Sequence, residues 1–195
     1  MMTLRTNILN PSTLAEASAN RLLKTASLVV GASLFMALCA HVSIPLIFSP
    51  VPITLQPFGV LLIGMLLGSR AGSAALVLYL LEGAAGMPVF SPAGPGGILQ
   101  LLGPTGGFLM ASPLAAFLAG KVFAARRTMT GAVLGSVAAE MALFTIGAAW
   151  FIAVMHVSLA TAMTMAVLPY IPGEVLKVAV ASAIATRWAS QQKRS

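Results

Sequence analysis

Long apolar segments, separated by short polar or glycine-rich segments, make up most of this chain. The simplest division gives six membrane-spanning helices, at about residues 26–43, 54–68, 71–82, 106–125, 130–155 and 172–189. Together they form one membrane domain over residues 21–190. Residues 1–20 are polar and are predicted to form a loose or surface-lying tail, and residues 191–195 a basic C-terminal tail. The pattern predicts an all-α integral membrane protein.

The composition supports that class and excludes others. Of the 195 residues, 58% are hydrophobic and only 8% are charged, whereas soluble domains have about a quarter charged residues. The net charge of +7 forms no basic stripe, which argues against nucleic-acid binding. One cysteine, Cys39, excludes an internal disulfide and a multi-cysteine metal site. The chain has no phosphate-binding Gly-Lys-Ser/Thr motif, so we expect no ATP hydrolysis by this chain itself.

The positions of the basic residues indicate which ends of the six spans face the cytoplasm. All of the 11 lysines and arginines except Lys177 lie on one side of the predicted spans, in the tails, in the connections or in the span ends next to them. Because cytoplasmic segments of membrane proteins are enriched in Lys and Arg, this distribution places both termini in the cytoplasm. It predicts a multi-pass protein of the cytoplasmic membrane, in contact with membrane lipid.

The opposite, external side is predicted to carry a ligand cavity. The second and third spans are shorter than the about 20 residues that cross a bilayer, so the external connections are expected to dip below the membrane surface and to line a cavity. The segment from Gly83 to Gly107 has eight of the 18 glycines, four of the 12 prolines and many apolar residues. Flexible linkers are polar, so this segment is predicted to be an ordered lid over an outward-facing cavity.

Glu174 and Lys177 are the most informative charged residues. Pro169 and Pro172 interrupt any helix that begins near Leu159, so Pro172 is predicted to begin the sixth span. Glu174 then lies in the first turn, and the spacing of three places Lys177 on the same face. Charges at such depth usually mark function. A ligand contact is favoured here, and a structural ion pair is the alternative.

The remaining polar residues give weaker indications. Glu140, within the fifth span, is predicted to be a bundle-facing structural residue or a partner contact, with a proton relay as the alternative. Ser33 and Ala37 form a small-residue face on the first span, which fits internal packing or the docking of a partner. His41 and His156 are expected at helix ends near the interface. Glu82 is expected to cap the glycine-rich segment or to line the cavity.

Four motifs in order resemble those of the BioY family, the biotin-binding substrate component of energy-coupling-factor (ECF) transporters. They are SPVPITLQ (Ser49 to Gln56), GMPVF (Gly86 to Phe90), LLGPTGG (Leu101 to Gly107) and PGEVLK (Pro172 to Lys177). The resemblance covers roughly residues 30–185. It implies six helices, an outward-facing vitamin site, and a membrane scaffold subunit with two ATPase subunits as partners, the scaffold docking on Ser33 and Ala37.

The resemblance also implies the ligand and its contacts. Glu174 and Lys177 occupy positions that contact biotin in the family, whereas Pro95 and Leu109 replace polar residues of some relatives, so that Gln56 or Gln100 is expected to supply part of the polar contacts. The predicted binding residues are Gln56, Phe90, Gln100, Thr105, Tyr170, Glu174 and Lys177. No cofactor and no metal are expected, and ATP is expected to act only through the partner subunits.

These observations favour a binding subunit for biotin uptake rather than an enzyme. The alternative is a self-sufficient secondary transporter in which Glu140 or Glu174 carries protons. A small intramembrane enzyme is disfavoured, because the chain lacks a catalytic set of titratable residues.

Overall fold

The structure is a computed structural model, and it describes residues 11–192. It is mostly helical. The elements in chain order are α1 (Pro11–His41), β1 (Ser43–Leu46), β2 (Ser49–Thr54), α2 (Gln56–Leu67), α3 (Ser69–Ala84), α4 (Gly97–Leu102), α5 (Gly106–Arg126), α6 (Met129–Met155), α7 (Leu159–Ala166), a 3-10 turn (Leu168–Tyr170) and α8 (Ile171–Gln192).

The first helix begins earlier than the sequence analysis predicts. Residues 11–20, assigned there to a loose or surface-lying tail, are the first turns of α1 and continue directly into the apolar segment. Nothing in residues 12–20 interrupts a helix, since Pro11 stands at the first position, where its missing N–H costs no hydrogen bond. Residues 1–10 and 193–195 of the two predicted tails lie outside the described residues.

A small β-hairpin corrects the all-α prediction. β1 and β2 pair antiparallel, with Ser43 opposite Thr54 and Leu46 opposite Ser49. This segment contains three prolines, Pro45, Pro50 and Pro52, which cannot donate to a strand ladder. Both strands of a two-stranded sheet are edge strands, however, and an edge strand tolerates proline where the N–H would face away from its partner.

Among the described residues, four helical segments are long and apolar enough to cross a membrane: 18–41, 106–126, 129–155 and 159–192. By comparison, α2 and α3 have 12 and 16 residues, fewer than the about 20 that a straight crossing needs. The predicted interruption before the last span is confirmed, because α7 ends at Ala166 and α8 begins at Ile171.

Three helices pack backbone to backbone through glycine. A Cβ atom on Gly120 of α5 would lie 2.4 Å from the carbonyl oxygen of Gly64 in α2, and one on Gly64 would lie 2.3 Å from that of Ala116. A Cβ on Gly72 of α3 would in turn lie 3.0 Å from the Gly64 Cα. Close approach of this kind maximises van der Waals contact between helices in lipid. We call Gly64, Gly72 and Gly120 the glycine contact.

The glycine contact lies toward one end of the bundle, which we call the basic end. The α2–α3 turn is there, since a Cβ on Gly120 would lie 2.6 Å from the Ser69 nitrogen. The start of α6 and the last turns of α8 are also there, because Thr186 Oγ1 lies 3.8 Å from Met129 Sδ. The exposed bases at this end are Arg70, Lys121, Arg126, Arg127 and Arg187.

The opposite end, which we call the strand end, holds the hairpin, α4, α7 and the start of α8. Val51 of the hairpin packs there in an apolar cluster with Phe151, Ala162 and Tyr170. The glycine-rich segment is ordered and packs onto the bundle, with Val89, Phe90 and Gln100 buried.

Candidate functional site

A cavity opens at the strand end, between the bundle and its covering segments. Its empty volume is about 750 Å³, a figure that includes space open to solvent. Its walls come from α2, α5, α6 and α8, and its cover from the hairpin and the glycine-rich segment. Most lining side chains are apolar. The structure brings five of the seven predicted binding residues into this lining: Gln56, Gln100, Thr105, Tyr170 and Glu174.

Glu174 reaches the cavity from the first turn of α8. Its side chain is 8% exposed, and Lys177 Nζ lies 2.8 Å from its Oε1. Its second oxygen, Oε2, is buried without a hydrogen-bond partner among the described residues. Lys177 itself is not part of the lining. The arrangement therefore combines both alternatives of the sequence analysis, since Lys177 forms an ion pair with Glu174 and Glu174 also faces the cavity.

Glu140 of α6 also lines the cavity, which the sequence analysis did not predict. The residue is 8% exposed, and its Oε1 has no hydrogen-bond partner within residues 18–192. This burial agrees with the bundle-facing position that the sequence analysis predicts. Spacing from Ser136, one turn earlier, was the available signal, because both then fall on one polar stripe of an otherwise apolar helix.

Side-chain hydrogen bonds hold the two parts of the cover in place. The Tyr170 hydroxyl, in the turn before α8, donates to the carbonyl of Val51 and so fastens the hairpin. Gln100 of α4 accepts from the Gly96 amide at 3.1 Å and donates to the Ser91 carbonyl at 3.4 Å. The Gln100 bonds lie within the glycine-rich segment and hold its own shape, with Pro95 beside Gln100.

Phe90 does not line the cavity, contrary to the prediction of a ligand contact. Its ring packs edge-on against Tyr79, with ring centroids 5.3 Å apart. A Cβ on Gly83 would lie 2.1 Å from Phe90 Cζ, so the ring fills a space that only glycine leaves open. Phe90 therefore anchors the glycine-rich segment behind the site. Tyr79 in turn accepts a hydrogen bond from Gln56 Nε2 at 3.0 Å.

Ser33 packs inside the bundle, which agrees with the internal-packing alternative of the sequence analysis. It has no exposed surface, and its hydroxyl donates to Glu82 Oε2 in the last turns of α3. Ala37 is half-buried and packs against the core. Glu82 therefore neither caps the glycine-rich segment through its side chain nor lines the cavity. The helix-end positions predicted for His41 and His156 are confirmed, since His41 is the last residue of α1 and His156 follows the end of α6.

Trp150 fastens the end of the glycine-rich segment, and no sequence motif pointed to it. Its Nε1 donates to the Gly103 carbonyl at 3.0 Å.

We expect Trp150→Phe to release any bound ligand about fivefold faster, since a net hydrogen bond is worth about 1 kcal/mol and the cover would open more often. Dissociation of labelled ligand, followed by dilution, measures this rate. Trp188→Phe is the control, because Trp188 lies near the basic end, and equal rates for all three proteins would contradict the prediction.

Comparisons with known proteins identify the family. The profile of the BioY family matches residues 10–194. "Probable biotin transporter BioY" of Pyrococcus horikoshii is 38% identical over 80% of this chain and 91% of its own. "Biotin transporter BioY" of Thermotoga maritima is 34% identical over 82% of this chain and 94% of its own.

A solved structure gives the same result at the level of fold. The crystal structure of the S-component for biotin from an ECF-type ABC transporter matches with a TM-score of 0.79 and 26% identity. The match covers 88% of this chain and 93% of that one. The family profile spans nearly the whole chain, and the relatives and the fold agree with it. This chain belongs to the BioY family.

Proposed function

We propose that this chain captures biotin at the outer face of a bacterial cytoplasmic membrane and serves its uptake. It acts as a binding subunit and not as an enzyme. The observation that carries the proposal is the cavity with Glu174 in its wall, in a chain whose relatives are named biotin transporters.

The chemistry of the cavity suits this ligand. Biotin has a polar ureido ring, a carboxylate and an apolar tail between them. The lining offers apolar surface together with a few polar groups, among them Gln56, Thr105 and Glu174, a combination typical of small-molecule sites. The ligand needs no cofactor, and ATP acts only through partner subunits.

The proposed topology has six spans, with α2 and α3 as the two short ones. The cavity then faces outward, and both termini lie in the cytoplasm. The exposed bases support this orientation, because they collect at the basic end, opposite the cavity, and the cytoplasmic side of membrane proteins is the side rich in Lys and Arg.

The proposed partners are a membrane scaffold subunit and the ATPase subunits of an ECF module. The similar crystal structure is that of an S-component from an ECF-type transporter, and this sequence has no phosphate-binding motif of its own. The second candidate is a solitary, proton-coupled transporter. The observation that favours this second candidate is the presence of two buried carboxylates in the cavity wall, Glu140 and Glu174, which could carry protons.

Equilibrium binding of labelled biotin to the purified chain in detergent tests the proposal. We expect saturable binding that unlabelled biotin displaces, whereas riboflavin and thiamine do not. The assignment would be refuted if the folded protein bound no biotin, or if another vitamin displaced the bound biotin. Uptake by cells that express this chain alone, with and without an uncoupler, then separates the two energy sources, since only the solitary transporter works without partner subunits.

A further inference from the structure

Some polar groups of the cavity wall have hydrogen-bond partners in the protein, and others have none. Two side-chain oxygens are buried without a partner among the described residues, Glu140 Oε1 and Glu174 Oε2. Both residues line the cavity and are more than nine-tenths buried. A buried acceptor without a donor is costly, so both oxygens call for donors that the described residues do not supply.

Most other polar side chains of the wall, Thr105 excepted, already donate to protein atoms. These hydrogen bonds run from Gln56 Nε2 to the Tyr79 hydroxyl (3.0 Å), from Gln100 Nε2 to the Ser91 carbonyl (3.4 Å), from Ser112 Oγ to the Leu109 carbonyl (2.7 Å), from Ser91 Oγ to Ser43 Oγ (2.8 Å) and from the Tyr170 hydroxyl to the Val51 carbonyl. The wall thus keeps its strongest free hydrogen-bonding capacity as acceptors.

The two carboxylates belong to one site. Ser136 of α6 lies 3.4 Å from Ser182 of α8, and the two helices run in opposite directions. One turn further along α6, Glu140 lies level with residue 178 of α8. Glu174 lies one turn of α8 beyond residue 178, toward the cavity, so the two carboxylates are about 6 Å apart along the helix axes. A single small head group can therefore reach both oxygens.

The charges of the site are also unequal. Lys177 offsets Glu174 through its ion pair at 2.8 Å, while Glu140 forms no ion pair among the described residues. A ligand anion beside Glu140 would find no cation there to offset it, whereas an N–H donor would satisfy the buried Glu140 oxygen, since a carboxyl group keeps an acceptor oxygen whether or not it is protonated.

We propose that Glu140 and Glu174 each accept a hydrogen bond from one of two N–H groups on the same ligand head, so that Glu140 is a specificity-determining residue of the site. This inference rests on the proposed function, since the ureido ring of biotin carries two N–H groups. A ligand head with acceptors alone would leave both carboxylate oxygens unsatisfied and would bind weakly.

The test combines variants with ligands that lack one donor. The proteins are the wild type, Glu140→Ala, Glu140→Gln and the control Glu82→Gln, whose carboxylate lies outside the cavity. The ligands are biotin and its two ureido N-methyl derivatives. Thermal unfolding without ligand shows which variants are folded, and equilibrium binding gives the Kd of each combination.

For the wild type we expect methylation of the nitrogen that faces Glu140 to weaken binding about ten- to hundredfold. The same methylation should cost less than about threefold in Glu140→Ala, where the acceptor is gone and the methyl group has space. Glu140→Gln keeps a neutral acceptor, so methylation should weaken its binding by a factor between those of the wild type and Glu140→Ala. If the alanine variant does not fold, Glu140→Gln is compared with the wild type instead. Glu82→Gln should behave as the wild type.

The remaining outcomes distinguish a failure of the role proposed for Glu140 from a failure of the proposed function. If the wild type binds biotin but Glu140→Ala binds it equally well, or if methylation costs the same in both proteins, the role of Glu140 is refuted and the proposed function stands. If the folded wild type binds none of the ligands, the proposed function fails first, and the inference fails with it.

Discussion

Replacing Lys177 with alanine is expected to weaken biotin binding at least tenfold, about 1.4 kcal/mol. The reason is indirect, because Lys177 does not line the cavity. Its ammonium holds Glu174 Oε1 at 2.8 Å, which leaves Oε2 turned to the site and offsets the negative charge. Without the ammonium, Glu174 is a buried, unpaired carboxylate, which is strongly disfavoured. It should rotate or take up a proton, and in either case it becomes a poorer acceptor.

Two further variants separate this effect from general damage. Lys121→Ala removes an exposed base at the basic end and should leave the Kd unchanged. Glu174→Gln with Lys177→Met removes both charges together, so it should restore much of the stability lost in Lys177→Ala while binding remains weak. An unaltered Kd in folded Lys177→Ala would assign the ion pair to structure alone.

The second large effect is expected at the glycine contact. Gly120→Leu should destabilise the protein by about 3 kcal/mol or more, at the upper end of overpacking effects. The first atom of the new side chain would lie 2.4 Å from the Gly64 carbonyl oxygen and 2.6 Å from the Ser69 nitrogen. Both are backbone atoms, which cannot rotate away as a side chain can. α2 and α5 would have to separate along much of their shared interface.

Gly31→Leu is the matched control. It makes the same change within a helix, at an exposed position where a Cβ would meet nothing within 4 Å, so both variants share the gain in helix propensity. Yield of monodisperse protein and the thermal unfolding midpoint in detergent compare them. Equal midpoints for the two variants would contradict the packing role of Gly120.

Several ends of the long helices could be predicted from the sequence, because lipid imposes a simple requirement on each span. The start of α5 at Gly106, the end of α6 at Met155 and the break before Ile171 all agree with the structure. The hairpin could not be predicted. Its apolar residues and prolines fit a buried loop equally well, and what makes it a hairpin is its packing on α7 and the Tyr170 bond, both long-range contacts.

The site was predictable where local rules apply. Glu174 follows from the position of Pro172 and the helix period. The burial of Glu140 agrees with the prediction, but its place in the cavity wall and the place of Phe90 behind it were not predicted, since the direction of a residue within a bundle depends on which helices flank it. Glu140 faces the cavity because α6 lies beside α8, and Phe90 turns away from it because Gly83 leaves space for a ring. Sequence spacing alone contains neither fact.

The separation of the glycine contact from the cavity has a mechanical consequence. Where backbones touch, helices cannot slide or swell, so the half of the molecule around Gly64, Gly72 and Gly120 is stiff. At the cavity end, the hairpin and the glycine-rich segment are instead joined to the bundle by side-chain packing and single hydrogen bonds, which can rearrange one at a time. Adjustment to a ligand is therefore expected in the cover rather than among the helices that meet at the glycine contact.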